Sequence, residues 1–557
     1  MAVRLTMPSS SHRKKKRMFM AMDKERSPWF KHWQTISDYY LPRRYPYLEG
    51  QQGLKNKASY NTKLLTSVST MAVRTLANGM MNGVTSPARP WFRLRIAGFE
   101  EEELSFDIKV YLEEVTRRML LILAESNFYN AMAILYLEWC TFGTAAMSIY
   151  EDHTDVLRFY NHSLGEFYIS QDDTGRVNRF ARRFQMSIEN LKDKFGLENM
   201  KTEHQTAFRE GGERLFDLVT IHHLVEVNDP SDDLIPANIA FRELYWDPSD
   251  HEGNLLAAEP LHEWNAITPR WELLSGETYG VSPAMDALAD VKELQHTLYE
   301  RKQSLEKQVS PPLLVDSMLQ NRPTALAAKG MTFVPNLGNA SGARAAYDTR
   351  APLQELGLDV QALTGRIQET CFTHLFNMIS QLDTVRSSNE IDGLREEKLV
   401  GLGPVLERFH HEGLSAILKR SFGVSERAGL MPERPEALVD LEIQIQYISI
   451  LSDAQRSVGT TSIERFLAFT GNLAGVYPEV VGVPNIEQLT RDYAEGIGVK
   501  ATGLNSREQV AESKEQKEQQ EQMAAAASIG KDLSQGAKTL SDTDVGGGSN
   551  ALQAMIG

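Results

Sequence analysis

At 557 residues the chain is long enough for roughly two to four domain-sized units, and with 42% apolar and 24% charged residues it has an ordinary globular composition. A formal charge of -15 excludes a protein that coats DNA through a general basic surface, because such binding neutralises phosphates with Lys and Arg. Two cysteines, Cys140 and Cys371, with no CxxC pair exclude a disulfide framework and a zinc ribbon and fit a reducing cytosol.

In chain order, HRKKKR (His12 to Arg17) reads as a solvated basic tail in preference to a specific nucleic-acid or targeting patch, and the MFMAM after it is far too short for a signal peptide. Ser27 and Pro28 read as an N-cap and first-turn pair for an amphipathic helix carrying Trp29, Phe30, Trp33, Ile36 and Tyr40. A second helix spans 60–84, with Leu64, Val68, Met71 and Leu76 on one side. Its apolar stretch contains Arg74, Asn78 and several hydroxyls, so it is no membrane span, and a soluble chain is expected. Two more helices follow near 107–125 and 127–142. From Ala145 the pattern turns to alternation, AAMSIYED, DVLRFYN, GEFYISQDDTGRVNRFARRF, FDLVTIHHLVEVN and IAFRELYWD, with QDDTGR as a hairpin turn in which Gly175 takes a positive φ.

Ser282 as N-cap and Pro283 at the first helical position open a helix over 283–308 that Pro311 and Pro312 stop. Its last two turns, ERKQSLEKQ, are too polar to be covered by their own subunit. About forty residues with short strand signals, LLVDS and GMTFVPN, come next; there Arg322, Lys329, Arg344 and Arg350 outnumber Asp316 and Asp348. A second long helix runs over 353–382, with Leu356, Leu363, Ile367, Cys371, Leu375 and Ile379 on one stripe. The polar segment 383–389, without Gly or Pro, interrupts the pattern, and Ser387 with Glu390 forms a capping box that starts a third helix. Within that helix Pro404, following Gly403, lacks the amide for a helical bond and clashes with the carbonyl of Val400, which predicts a bend there. Beyond 429 the chain reads as mostly helical, with a Glu, Gln and Lys-rich segment over 506–527 and a low-complexity end.

No motif for catalysis stands out. The sequence lacks GxxxxGK[ST], HExxH, GxSxG and a GxGxxG on a strand-to-helix turn; Gly530-Lys531 has Ala525 where a phosphate loop needs its first glycine. His222 and His223 adjoin on a strand and face opposite ways, while His410 and His411 stand ~100° apart on a helix, so neither pair can share a metal. Asp542 and Asp544 lack the glutamate of a calcium loop. Asp152, Asp172 and Asp173 could serve a nuclease, but Asp in hairpin turns usually answers backbone needs. No catalytic residue, metal or cofactor is expected.

The ordered set YNTKLLTSVSTMAVRTLANGMMNGVTSPARPWFRL, YNAMAILYLEWCTFGTAAM, GEFYISQDDTGRVNRFARRF, SGETYGVSPAMDALADVKELQ, KQVSPPLLV and GLGPVLERFHHEGL resembles the portal, or head-to-tail connector, of short-tailed bacteriophages over about residues 20–500. The resemblance implies an α+β, mainly helical portal fold with wing, stem, clip and crown, closed into a ring of usually about twelve subunits around a DNA channel. By position, 1–50 is an N-terminal basic tail and helix, 51–282 the α+β wing, 283–309 and 351–382 the stem helices and 310–350 the clip. The channel loop is 383–388, the kinked wing helix 389–428, the helical crown or barrel 429–530 and the flexible tail 531–557. The resemblance puts Asp383, Thr384, Val385, Arg386, Ser387 and Ser388 toward DNA, the kink at Gly403 and Pro404, and the clip cations Arg322, Lys329, Arg344 and Arg350 toward partners. Stem cations Arg301, Lys302 and Lys307 could add weak, sequence-independent DNA contacts. The implied partners are further copies of the chain, double-stranded DNA, the packaging ATPase (terminase), tail adaptor or nozzle proteins, and major capsid, scaffolding and internal core proteins, with no membrane. The implied place is the portal vertex of the virion, after synthesis in the host bacterial cytoplasm. Competing readings are another virion structural protein, such as a tail adaptor or internal core protein, and a DNA-packaging enzyme, against which the missing phosphate loop counts.

Overall fold

The computed structural model describes residues 7, 9–44, 64–99, 104–232, 234–250, 253–311, 313–316, 331–334, 343–345, 353–380, 401–438 and 443–448, together with 466–473 and a few single positions past 448. The chain divides into two compact units, 1–97 with 110–455 and 98–109 with 456–557; the architecture below belongs to the first.

Helix α1 is Ser9–Tyr40, so the expected start at Ser27 and Pro28 is corrected: Pro28 lies inside a 32-residue helix. Two separate cores hold the helix on either side of the proline, which offsets the lost backbone bond. Phe19 and Met22 pack with Tyr168, Leu224 and Trp246, while Trp33, Ile36 and Tyr40 enter the main core with Val73, Phe142 and Tyr279. Between them, buried Arg26 donates to the carbonyls of Leu164, Gly165 and Phe167 at 3.2, 3.2 and 2.9 Å. HRKKKR is therefore helix and not tail, and its Lys15 is buried in an ion pair with Glu226.

Helices α2 (Val68–Val84), α3 (Phe106–Glu125) and α4 (Phe128–Phe142) follow, with strand β1 (Phe92–Ile96) between the first two. Apolar α4 is the central buried helix, and Gly143 ends it in the left-handed region at φ +73°. Among the described residues no single helix is long and apolar enough to cross a membrane.

The expected β region forms two sheets. Strands β2 (Ala146–Asp152), β3 (Val156–His162) and β9 (Ala266–Ile267) pair in the order β3-β2-β9. An antiparallel meander joins β4 (Phe167–Gln171), β5 (Val177–Ser187), β6 (Leu218–Val227), β7 (Phe241–Trp246) and β8 (Leu255–Leu261) in sequence order. Side chains alternate between faces, so one face takes α1 and the other takes α5 (Ile188–Phe195) through Ile188, Leu191, Phe195, Ile221 and Tyr245. Short α6 (Thr202–Glu210) follows α5. Gly175 sits in the β4–β5 turn at φ +82°, as the sequence predicts, and the Asp172 side chain accepts from the amides of Thr174 and Arg176 at 2.9 Å each.

Helix α7 (Pro283–Asp286) opens with the Ser282 hydroxyl accepting from the Met285 amide at 3.3 Å. One non-helical residue later α8 (Leu288–Val309) begins, so the expected continuous helix is stepped at Ala287. Strand β10 (Leu313–Asp316) pairs in parallel with β11 (Met331–Val334) and antiparallel with β12 (Ala343–Ala345). The expected single helix over 353–382 is corrected to α9 (Leu353–Thr370) and α10 (Thr373–Ser380), broken where Phe372 takes φ +53°. The break carries Phe376 onto α2, where Gly79 has no side chain to collide with its ring.

Helix α11 covers 401–409, a π-helical turn occupies His410–Leu414, and α12 is Ser415–Arg427. Strand β13 (Ile443–Tyr447) pairs antiparallel with β1, Phe92 opposite Tyr447 and Ile96 opposite Ile443. The mostly helical reading beyond 429 has no place for this strand, whose IQIQY alternation finds its partner far back in the chain.

Candidate functional site

Helices α8 and α9 pack against each other, and β10–β12 lie between them in the chain. Toward the start of α8 the pair is closed: Val291 and Leu294 of α8 and Leu363, Ile367 and Cys371 share the main core, and Arg366 reaches Asp290 and Glu293 at 3.1 and 3.8 Å. Toward the end of α8 it opens. The stripe that is buried at Val291 and Leu294 is 49% exposed at Leu305 and 74% at Val309, with Leu358 of α9 66% exposed. Arg301 and Lys302 are exposed and Lys307 is half-buried on this open half; neighbours in sequence on a helix diverge by ~100°, so the three do not converge on one point. Glu300 and Glu306 interleave with them. In the β10–β12 sheet Arg344 stands in β12 opposite Leu314. Arg322, Lys329, Arg350 and the whole loop 383–388 lie outside the described residues.

Gly403 and Pro404 lie in α11, helical on both sides. A departure from α geometry follows two turns later at the π-helical turn, where the Ser415 amide donates to the His410 carbonyl. The wide turn directs the Glu412 carboxylate to Arg270, whose side chain is 2% exposed. The Arg270 guanidinium donates to Glu412 at 2.6 to 3.2 Å, to the Gln171 side chain at 2.8 Å and to the Gly175 carbonyl at 2.7 Å, and the Arg270 amide donates to Glu412 at 3.0 Å. Through Arg270 the π-turn is thus joined to the β4–β5 turn.

Other contacts fix the same helix. Phe409 packs 4.4 Å from Trp139 and 5.1 Å from Tyr136 between ring centroids. His410 stacks on Tyr447 at 4.1 Å; burial, with His411 adding to it, pushes the His410 imidazole down to about 4. On α12, Arg420 and Arg427 each reach both Glu151 and Glu263, at 2.6 to 3.2 Å. Burial works to raise the Glu263 carboxyl, but hydrogen bonds from Arg427 and Arg420 outweigh it and hold the group below its ordinary value. Glu412, Arg420 and Arg427 have no role assigned from the sequence, and their partners lie far away in the chain.

The aspartates weighed for a nuclease serve turns. Asp152 accepts from the amides of Thr154 and Asp155 at 2.7 and 3.2 Å, and Asp172 serves its hairpin. His222 and His223 do face opposite ways: His222 stacks on Phe19, and His223 stacks on Tyr245 within 2.6 Å of the buried Glu243 carboxylate. Among the described residues no group of three His, Cys, Asp or Glu could hold a metal ion.

The sequence model of a family described as "Bacteriophage head to tail connecting protein" matches residues 13–504. The chain is 35% identical over 523 residues to the "Probable portal protein" of Bordetella phage BPP-1, covering 92% of each chain. It is 32% identical over 524 residues to the "Portal protein" of Salmonella phage epsilon15, covering 93% of each.

Proposed function

The chain belongs to the bacteriophage head to tail connecting protein family, whose members are structural rather than catalytic, and from that premise we propose that it assembles as a closed ring at one capsid vertex. The ring, of about twelve copies, is the conduit for double-stranded DNA in packaging and ejection. It docks the packaging ATPase first and tail adaptor or nozzle proteins later, and meets major capsid, scaffolding and internal core proteins within the head. The protein is made in the host bacterial cytoplasm, consistent with two free, buried cysteines. Residues 283–309 and 351–382 are the stem, 310–350 the clip, 383–388 the channel loop, and 389–428 the wing helix that bends at Gly403 and Pro404. Residues 429–530, apart from β13, are the crown.

The observation that carries this reading is the open half of α8. Leu305 and Val309 continue the apolar stripe of Val291 and Leu294 on α8 where the chain's own partner helix stops covering it, and a heterologous ring supplies the missing cover from a neighbouring copy. A net charge of -15 suits a conduit, because acidic walls keep phosphate from sticking, while the cations Arg301, Lys302 and Lys307 give passing contacts.

Negative-stain imaging of the purified protein tests it. Annular particles with a central hole are expected, and Leu305→Glu combined with Val309→Glu should convert them to monomers; a wild-type chain that stays monomeric at high concentration refutes the ring. Replacing 383–388 with a two-residue turn should leave rings intact but impair DNA packaging or retention. Loss of assembly instead would make that segment structural.

A further inference from the structure

The basic run of α1 has no role in the reading above, and the structure changes what it can do. It is rigid helix, anchored below by Lys15, Phe19 and Met22, and its outer crest is the row Arg13, Arg17, Met20, Lys24 and Lys31, all exposed. These positions lie within about 40° of one line at 100° per residue, and they span roughly 27 Å at 1.5 Å per residue. Lys16 stands exposed on one shoulder, where a cavity of about 200 Å³ brings the exposed Arg183 of β5 to its rim. Nearby acids have other engagements: Asp23 pairs with Arg26 at 3.6 Å, Glu25 accepts from the Thr278 hydroxyl, and Asp229 lies close to Lys14.

We infer that the crest of α1 is a docking rail for the phosphate backbone of duplex DNA, on the side of the helix turned away from the sheet β4–β8. The crest offers charge at intervals over a length that a continuous polyanion matches. It offers a single apolar side chain, Met20, and no aromatic anchor, whereas protein partners draw most of their binding energy from buried apolar and aromatic anchors. In a chain of net charge -15 such a row is out of keeping with its surroundings. The choice of DNA over another polyanion rests on the portal reading.

The test uses full-length protein, imaged to establish whether it forms rings, and a closed circular duplex, which has no end to enter a channel. Binding is followed across a salt series for wild type and for Arg17→Gln/Lys24→Gln/Lys31→Gln. Each phosphate contact contributes about 0.9 to the slope of log affinity against log salt, so the triple variant should lose roughly 2 to 3 of slope and on the order of 100-fold in affinity near physiological salt. In the unaltered protein, DNA should protect Lys24 and Lys31 from acetylation, read by mass spectrometry. An unchanged slope, absent protection, no binding of the circle, or equal competition by polyglutamate would each overturn the inference. Protein that binds the circle through α1 but forms no ring would leave this inference standing and sink the ring.

Discussion

Exchanging Glu412 for Gln tests whether the π-turn is held by its ion pair. The substitution keeps size and one acceptor but removes the charge facing Arg270, whose side chain is 2% exposed. Breaking a buried ion pair from one side costs about 3–5 kcal/mol, since the remaining charge is left uncompensated. Glu412 is itself 21% exposed, and Arg270 keeps its bonds to Gln171 and Gly175, so the expected loss is nearer 2 kcal/mol. Arg270→Met combined with Glu412→Leu leaves no orphaned charge and should cost less than the sum of the two single changes by at least about 1 kcal/mol. Urea unfolding at fixed protein concentration, read by the fluorescence of Trp139 and Trp271, whose rings lie 4.6 Å apart, gives these values. A Gln variant within about 0.5 kcal/mol of wild type, or strictly additive changes, would show that the clamp does not hold the turn.

Glu226→Gln should leave buried Lys15 and Arg242 facing each other without their shared anion, costing about 3 kcal/mol. Hydrogen exchange should then speed up in the Ser9–Met22 half of α1 while the half carrying Trp33 to Tyr40, held in a separate core, stays protected. Gly143→Ala should abolish soluble expression, because the residue is left-handed and its new Cβ would overlap the Gly280 carbonyl oxygen. The imidazoles of His222 and His410 are pushed down to about 4, in both cases chiefly by burial. A depressed folded value means that the unfolded chain binds the proton more tightly, so stability is complete above about pH 6.5 and falls as pH drops toward 4, by about 1–2 kcal/mol per ring after discounting partial exposure. His410→Phe, which keeps the stack on Tyr447, should flatten that slope in pH-dependent urea midpoints.

Much of the α+β region up to Ser282 is legible in sequence because its determinants are short-ranged. The Ser282 cap, the Gly175 turn and the alternation in β4 to β7 each need only a few consecutive residues, and the structure repeats them. Failures come where a distant partner decides. The Ser27-Pro28 pair is a sound local start signal, but Arg26 and two flanking cores carry α1 through it. Phe372 looks like an ordinary interior position of a long stripe, and the left-handed break there answers to Gly79 on α2, which no window around 372 contains.

The clamps on the 401–427 helix likewise answer to distant partners. The bend expected at Gly403 and Pro404 rests on a backbone rule that needs no partner. The π-turn at His410–Leu414 depends on Arg270, 142 residues earlier, and on Tyr447 in a strand that exists only because β1 offers an edge. With its π-turn clamped by Arg270, its aromatic face held by Trp139 and its last turns tied to Glu151 and Glu263, the helix from 401 to 427 is built into the body of residues 128–282. A displacement imposed on the segment before residue 401 must therefore break these contacts or be absorbed N-terminal to them, and Glu412→Gln is the change that lowers the first barrier without touching the second.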